Sequence, residues 1–303
     1  MSDLSSTAEA IAASPVKVDG HPGLAWVTRN LHHFALSGAG TPNLLLSKRV
    51  GELAMLHFYL GRRLRSGLPA ADAVHRHLRD WRRLLLRECG GTGYLRHLGS
   101  APDSGLYHLQ PYLWLRAAGH RTDLGEGTLR GLAARGVRPR SAGEFHALWT
   151  AGLVRDRPDW GSLLRRTAAV PHGRLRRDGY RLTHAVYYAT DFGAHDARVP
   201  ADVSDTAAGV LDRLLEEALA AGDHDLTGES LLALSCLPPR DVGRAARREA
   251  VHVLAGARLP GGALPKNRAS GSRPDGAEVP FRDCYHATMV DVLRHYTDLE
   301  AGD

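Results

Sequence analysis

The stretch FRDCYHATMVD, residues 281–291, follows a Pro/Gly-rich loop and opens an apolar helical segment with Cys284, Tyr285 and His286 at its start. Three upstream segments share the arrangement: YRLTHAVYYATD at 180–191, EFHALWTAGL at 144–153 and LYHLQPYLWL at 106–115. In each, a histidine enters near the start of an apolar run. His108, His146 and His184 are 38 residues apart, His184 and His224 are 40 apart, and the 62 from His224 to His286 include a long loop at 257–280. A period near 40 with two helices per unit marks a helical-hairpin repeat.

Working outward, six apolar segments (47–60, 105–118, 142–154, 181–192, 225–237 and 283–296) alternate with six amphipathic ones (24–37, 69–88, 123–135, 158–169, 203–221 and 240–256). Apolar residues recur at helical spacing, so no strand pair is expected. Pro111 should kink or shorten its helix. Helices that are apolar on most sides are enclosed by others. An open solenoid would leave the apolar set facing only its neighbours. Closure would make it an inner ring, and the polar groups at its helix starts favour that. The expectation is all-α: a single (α/α)6 barrel or toroid over 21–303, behind a disordered lead at 1–20.

Composition narrows the setting. With 43% hydrophobic and 24% charged residues, the 303-residue chain reads as a soluble globular protein. No apolar run approaches the roughly 20 residues that span a bilayer, and the first residues lack a basic and apolar export signal. Three widely spaced cysteines (Cys89, Cys236 and Cys284) then suggest a reduced, cytoplasmic protein. The net charge of +6 invites a nucleic-acid reading, yet only three of the 39 basic residues are lysine, the usage of a GC-rich bacterial genome. The arginine stripe Arg76, Arg79, Arg83 and Arg87 reads as the solvated face of an outer helix. Nucleic acid is therefore not the expected partner.

In a closed ring, the starts of the apolar helices share one rim, and groups far apart in sequence converge there. His184, Tyr188 and Asp191 are spaced i, i+4, i+7 on one face. Asp225 and Glu229 are four apart, and Cys284 and His286 occupy the last helix start. Imidazoles, carboxylates and a thiol suit a divalent metal, zinc above all, with iron or manganese also compatible. The ligand pool is His184, Asp225, Glu229 and His286, with Cys284 as a fifth candidate. Asp191, Tyr188 and Tyr285 are the candidate catalytic or positioning groups. No HExxH or paired CxxC spacing is present. Bland roles compete: a histidine at a helix start often only packs or caps, as expected for His108 and His146, and Asp225 resembles an N-cap.

The segment RDCYHAT resembles the D-x-Y-H-T stretch of protein prenyltransferase β subunits, in which the histidine ligates zinc within an α/α toroid. That resemblance, over about seven residues, implies His286 as a ligand; the Asp-x-Cys pair of those subunits is not evident. Over a larger span, YRLTHAVYYATDFG, GDHDLTGESLLAL and YHAT together resemble a family of uncharacterised proteins of actinomycete-type biosynthetic gene clusters. This implies specialised metabolism and singles out His184, Asp191, Asp225, Glu229, Tyr285 and His286.

The leading expectation is a metal-dependent enzyme acting on a small or peptide-linked natural-product intermediate. One alternative is a metal-free, carbohydrate-type enzyme using Asp191 with Glu229 or Asp225 as an acid/base pair, which needs carboxyls roughly 5–9.5 Å apart. The other is a non-enzymatic helical-repeat scaffold that holds a partner protein or peptide.

Overall fold

The computed structural model describes residues 20–36, 44–67, 71–91, 94–95, 98, 105–156, 158–169, 175–194, 199–272 and 278–301, and among them there are helices and no strands. The expected lead at 1–20 lies, but for residue 20, outside the described residues. The helices are α1 (Pro22–Arg29), followed by a 3-10 turn (Leu31–Phe34), α2 (Leu44–Arg65), α3 (Ala71–Cys89), α4 (Gly105–Ala117), α5 (Asp123–Ala134), α6 (Ala142–Thr150) and α7 (Trp160–Ala168). They continue as α8 (Leu175–Thr190), α9 (Ala201–Ala221), α10 (His224–Ser235), α11 (Arg244–Ala257), the single turn α12 (Arg268–Gly271) and α13 (Tyr285–Ala301).

Packing runs in a circuit: α2 lies against α4, α4 against α6, α6 against α8, α8 against α10, α10 against α13, and α13 returns to α2. The amphipathic helices pack onto these. Helix α3, for example, buries Val74, Leu78, Trp81 and Leu85 and leaves Arg76, Arg79 and Arg83 exposed. Each large apolar side chain so buried contributes about 1.5–3 kcal/mol. The start of α1 is latched to α13: the His21 backbone N–H donates to Tyr296 Oη (3.0 Å), and its Nε2 lies 3.1 Å from Asp291, which Arg258 and Arg294 also hold.

Local chemistry sets the helix ends. Ser141 and Glu144 form a reciprocal capping box on α6, and Thr122, Asp159 and Asp223 cap α5, α7 and α10. The cap of α10 is thus Asp223 rather than Asp225, which leaves the latter carboxylate free for other work. Gly222 ends α9 at φ 64°, a conformation that costs glycine nothing. Two departures from expectation have a local reading at a glycine and a proline. Helix α8 begins six residues early because Gly179 serves close packing, not termination: a Cβ there would stand 2.9 Å from Leu214. Helix α4 continues through Pro111.

Helix α8 ends in two consecutive non-glycine residues at positive φ, Asp191 (48°) and Phe192 (56°). Each such residue costs about 1–3 kcal/mol, so the surroundings must enforce it. Arg62 donates to Asp191 Oδ2 and to its backbone oxygen, both at 2.7 Å, Tyr59 Oη donates to Oδ1 (2.9 Å), and His146 Nε2 lies 3.2 Å from Oδ1. Arg63 donates to the Phe192 carbonyl (2.9 Å). Burial alone would raise the Asp191 carboxyl; His146 and the Arg62 guanidinium outweigh it and hold it down to about 2.

Because the folded value lies below the unfolded one, Asp191 contributes stability above about pH 4 that is lost as pH falls toward 2. Asp191→Asn should flatten that part of the acid-unfolding curve followed by circular dichroism. Arg62→Met, which strands a buried carboxylate, should cost about 3–5 kcal/mol in urea unfolding.

Candidate functional site

The ring encloses a cavity of about 620 Å³ lined from all six inner helices. Its charged and imidazole side chains lie within the first three turns of those helices: Lys48 and Glu52 on α2, Arg181 and His184 on α8, Glu229 on α10 and His286 on α13. Deeper in, the wall is Leu56, Trp114, Phe192, Leu232, Met289 and Leu293. A largely apolar pocket with a few convergent polar groups is the usual form of a small-molecule site.

His286 is the hub. Its Nδ1 lies 2.7 Å from Asp225 Oδ1, and Tyr180 Oη donates to the other oxygen of Asp225 (3.0 Å). Its Nε2 faces Glu52 Oε1 at 3.6 Å and Glu229 Oε1 at 3.7 Å. His184 Nε2 stands 3.6 Å from the same Glu229 Oε1. Glu229 is held from behind, its Oε2 accepting from Thr183 and its backbone oxygen from Tyr187 Oη. Lys48 Nζ lies 3.5 Å from Glu52 Oε1.

Burial would lower the His286 pKa, but the carboxylates of Asp225, Glu52 and Glu229 together raise it to about 10. Burial would likewise raise Asp225, and the facing imidazolium instead lowers it. Burial, reinforced by nearby carboxylates, pushes the phenols of Tyr180, Tyr187, Tyr188 and Tyr285 upward, so they stay protonated and do not serve as bases.

Of the residues singled out from sequence, His184, Glu229 and His286 converge on the cavity, and Tyr188 lines it. Asp225 stands behind His286 as its orienting partner. Cys284 is buried at the end of the turn Phe281–Asp283, away from the cavity lining, and leaves the ligand set. Tyr285 stacks on Phe281 at 5.3 Å under the Arg49 guanidinium and shapes the helix start. Asp191 belongs to the tie with Arg62, Tyr59 and His146 and does not line the cavity. His184 lies in the third turn of α8 rather than at its start, since that helix begins at Leu175. Sequence reasoning missed Glu52 and Lys48. Their signal was present: in the otherwise apolar run from 50 to 60, Glu52 is the single acid.

Among the described residues, no three His, Cys, Asp or Glu side chains already stand in a geometry that holds a metal. The three imidazole–carboxylate gaps of 3.6, 3.7 and 3.6 Å are too long for hydrogen bonds. They are close to the separation, about 3.3–3.5 Å, of two ligands on one tetrahedral cation with bonds of about 2.0–2.2 Å. Modest side-chain rotation would bring the residues present to fit such an ion.

Replacing Asp225 removes the nearest negative charge from His286. In chelator-treated Asp225→Asn, the His286 imidazole should titrate well below about 10, toward the ordinary range near 6.5, in a proton NMR titration. An unchanged value would show that Asp225 does not control the ring.

Comparison with known proteins adds the family and no more. No curated protein and no solved structure matches the chain. A family model described as a domain of unknown function, DUF6895, matches residues 21–296, and the chain belongs to that family.

Proposed function

We propose that the protein is a metal-dependent enzyme of bacterial specialised metabolism that acts on a small, mostly apolar molecule held in the ring cavity. The observation that supports this most is the set of facing pairs around His286 and Glu229: two imidazole Nε2 atoms share one carboxylate oxygen, and Glu52 completes the group. His184, Glu229 and His286 would hold the cation, with Glu52 as a fourth ligand. Asp225 would orient His286 through Nδ1, as carboxylates behind metal-bound histidines do. A bound cation there supplies Lewis acidity or an activated water. The metabolic setting rests on the sequence resemblance of the segments around His184, Glu229 and His286.

A metal-free acid/base enzyme is the second reading, and the raised His286 pKa favours it. An imidazolium between carboxylates can donate a proton to a substrate oxygen, with Glu229 as the base.

Elemental analysis of protein purified without chelator decides between them. The metal reading expects about one equivalent of zinc, iron or manganese, lost in His184→Ala and His286→Ala, and an affinity weakened about 10–100-fold in Asp225→Asn. Metal-free protein that gains none on dialysis against these ions would overturn it.

A further inference from the structure

The charged groups of the cavity stand at one end, and Trp114 and Phe192 stand at the other. His286 to Leu293 on α13, and Tyr107 to Trp114 on α4, each descend seven residues, about 10 Å along a helix. At the bottom, Trp114 and Phe192 meet over common neighbours: both rings pack on Tyr59 (5.6 and 4.3 Å) and on His146 (5.8 and 6.0 Å). Tyr187 stacks on Phe192 at 4.8 Å. The ring of Phe192 is the one delivered there by strained backbone, and Arg62, Arg63, Tyr59 and His146 are all spent on holding that turn. A helix that merely had to end would use glycine at no cost, as α9 does at Gly222.

At the mouth, Lys48 and Arg181 keep 47% and 77% of their side-chain surface exposed, with Glu52 and Asp178 as their acidic neighbours at 3.5 and 3.8 Å. These two side chains present cations to whatever polar group rests at the rim.

From these features we infer that the substrate is a single-chain amphiphile, an alkyl or acyl chain ending in an anionic oxygen group, and that Phe192 is the residue that sets how long a chain the cavity accepts. The head lies at the rim beside Lys48, Arg181 and His286, and the tail runs down the apolar wall to the Trp114–Phe192 floor. This rests on the ring cavity being the substrate site and is independent of whether a metal sits at its rim.

The test is calorimetric titration of the full chain with straight-chain alkanoates from about six to about sixteen carbons, on chelator-treated and metal-loaded protein. Each added methylene should tighten binding about fourfold until the chain meets the floor, after which affinity stops rising. Phe192→Gly, which suits the positive φ and removes the ring, should move that limit to chains at least two carbons longer. Leu293→Phe should move it to shorter chains. Circular dichroism checks that both variants are folded. A folded Phe192→Gly protein that weakens all lengths equally, with the limit unmoved, would show a purely structural residue and overturn the inference. So would wild-type protein that holds a metal yet binds no alkanoate, a result that leaves the metal reading standing. Binding with the expected limit in protein that takes up no metal would support this inference while removing that reading.

Discussion

Everything in this structure depends on the return of the last helix to the first long one. Glu52 lies near the start of the chain's path around the ring and His286 near its end, and they face each other because α13 packs on α2. The same contact lets residues from 48 to 293 line one cavity. The latch of His21 on Tyr296 and Asp291 reinforces it by fixing the amino-terminal helix to the carboxy-terminal one. The forces involved are ordinary ones: burial of large apolar side chains, and hydrogen bonds whose main service is to leave no polar group stranded.

Within the ring, two ionic clusters divide the labour by depth. The floor cluster of Asp191, Arg62, Tyr59 and His146 is matched charge for charge and holds a strained turn in place. Breaking it would leave a buried charge, which is why it reads as structure. The rim cluster is not closed in that way. Several of its donors and acceptors face one another across gaps longer than a hydrogen bond and around a space open to the cavity. The carboxylates of Asp225, Glu52 and Glu229 are what keep a proton on His286 far above the usual range for histidine. A group of charges left partly unsatisfied beside an apolar pocket is arranged to receive something.

Much of this was legible in the sequence, for reasons that can be named. The 38–40-residue spacing of the histidines and the alternation of apolar with amphipathic segments carried the helical hairpins, because helical period and hydrophobic pattern are local properties. His184, Glu229 and His286 were legible because polar groups in apolar helices are few. Asp191 read as a candidate catalytic group, but its partner Arg62 is 129 residues away and turns it into a tie. Cys284 and His286 are two residues apart and could not be ranked from sequence, since the 3-10 turn at Phe281–Asp283 decides which of them faces the cavity. Glu52 escaped notice because no histidine stands within four residues of it in the chain, and the positive φ of Phe192 has no sequence mark at all.

The most direct measurement is anomalous diffraction from crystals grown with zinc, recorded at its absorption edge. A metal site at the rim would give one strong peak there, about 2.0–2.2 Å from Nε2 of His184, Nε2 of His286 and an oxygen of Glu229, with Asp225 still on Nδ1 of His286. A rim without a peak, or a peak bound only by surface histidines elsewhere, would contradict it.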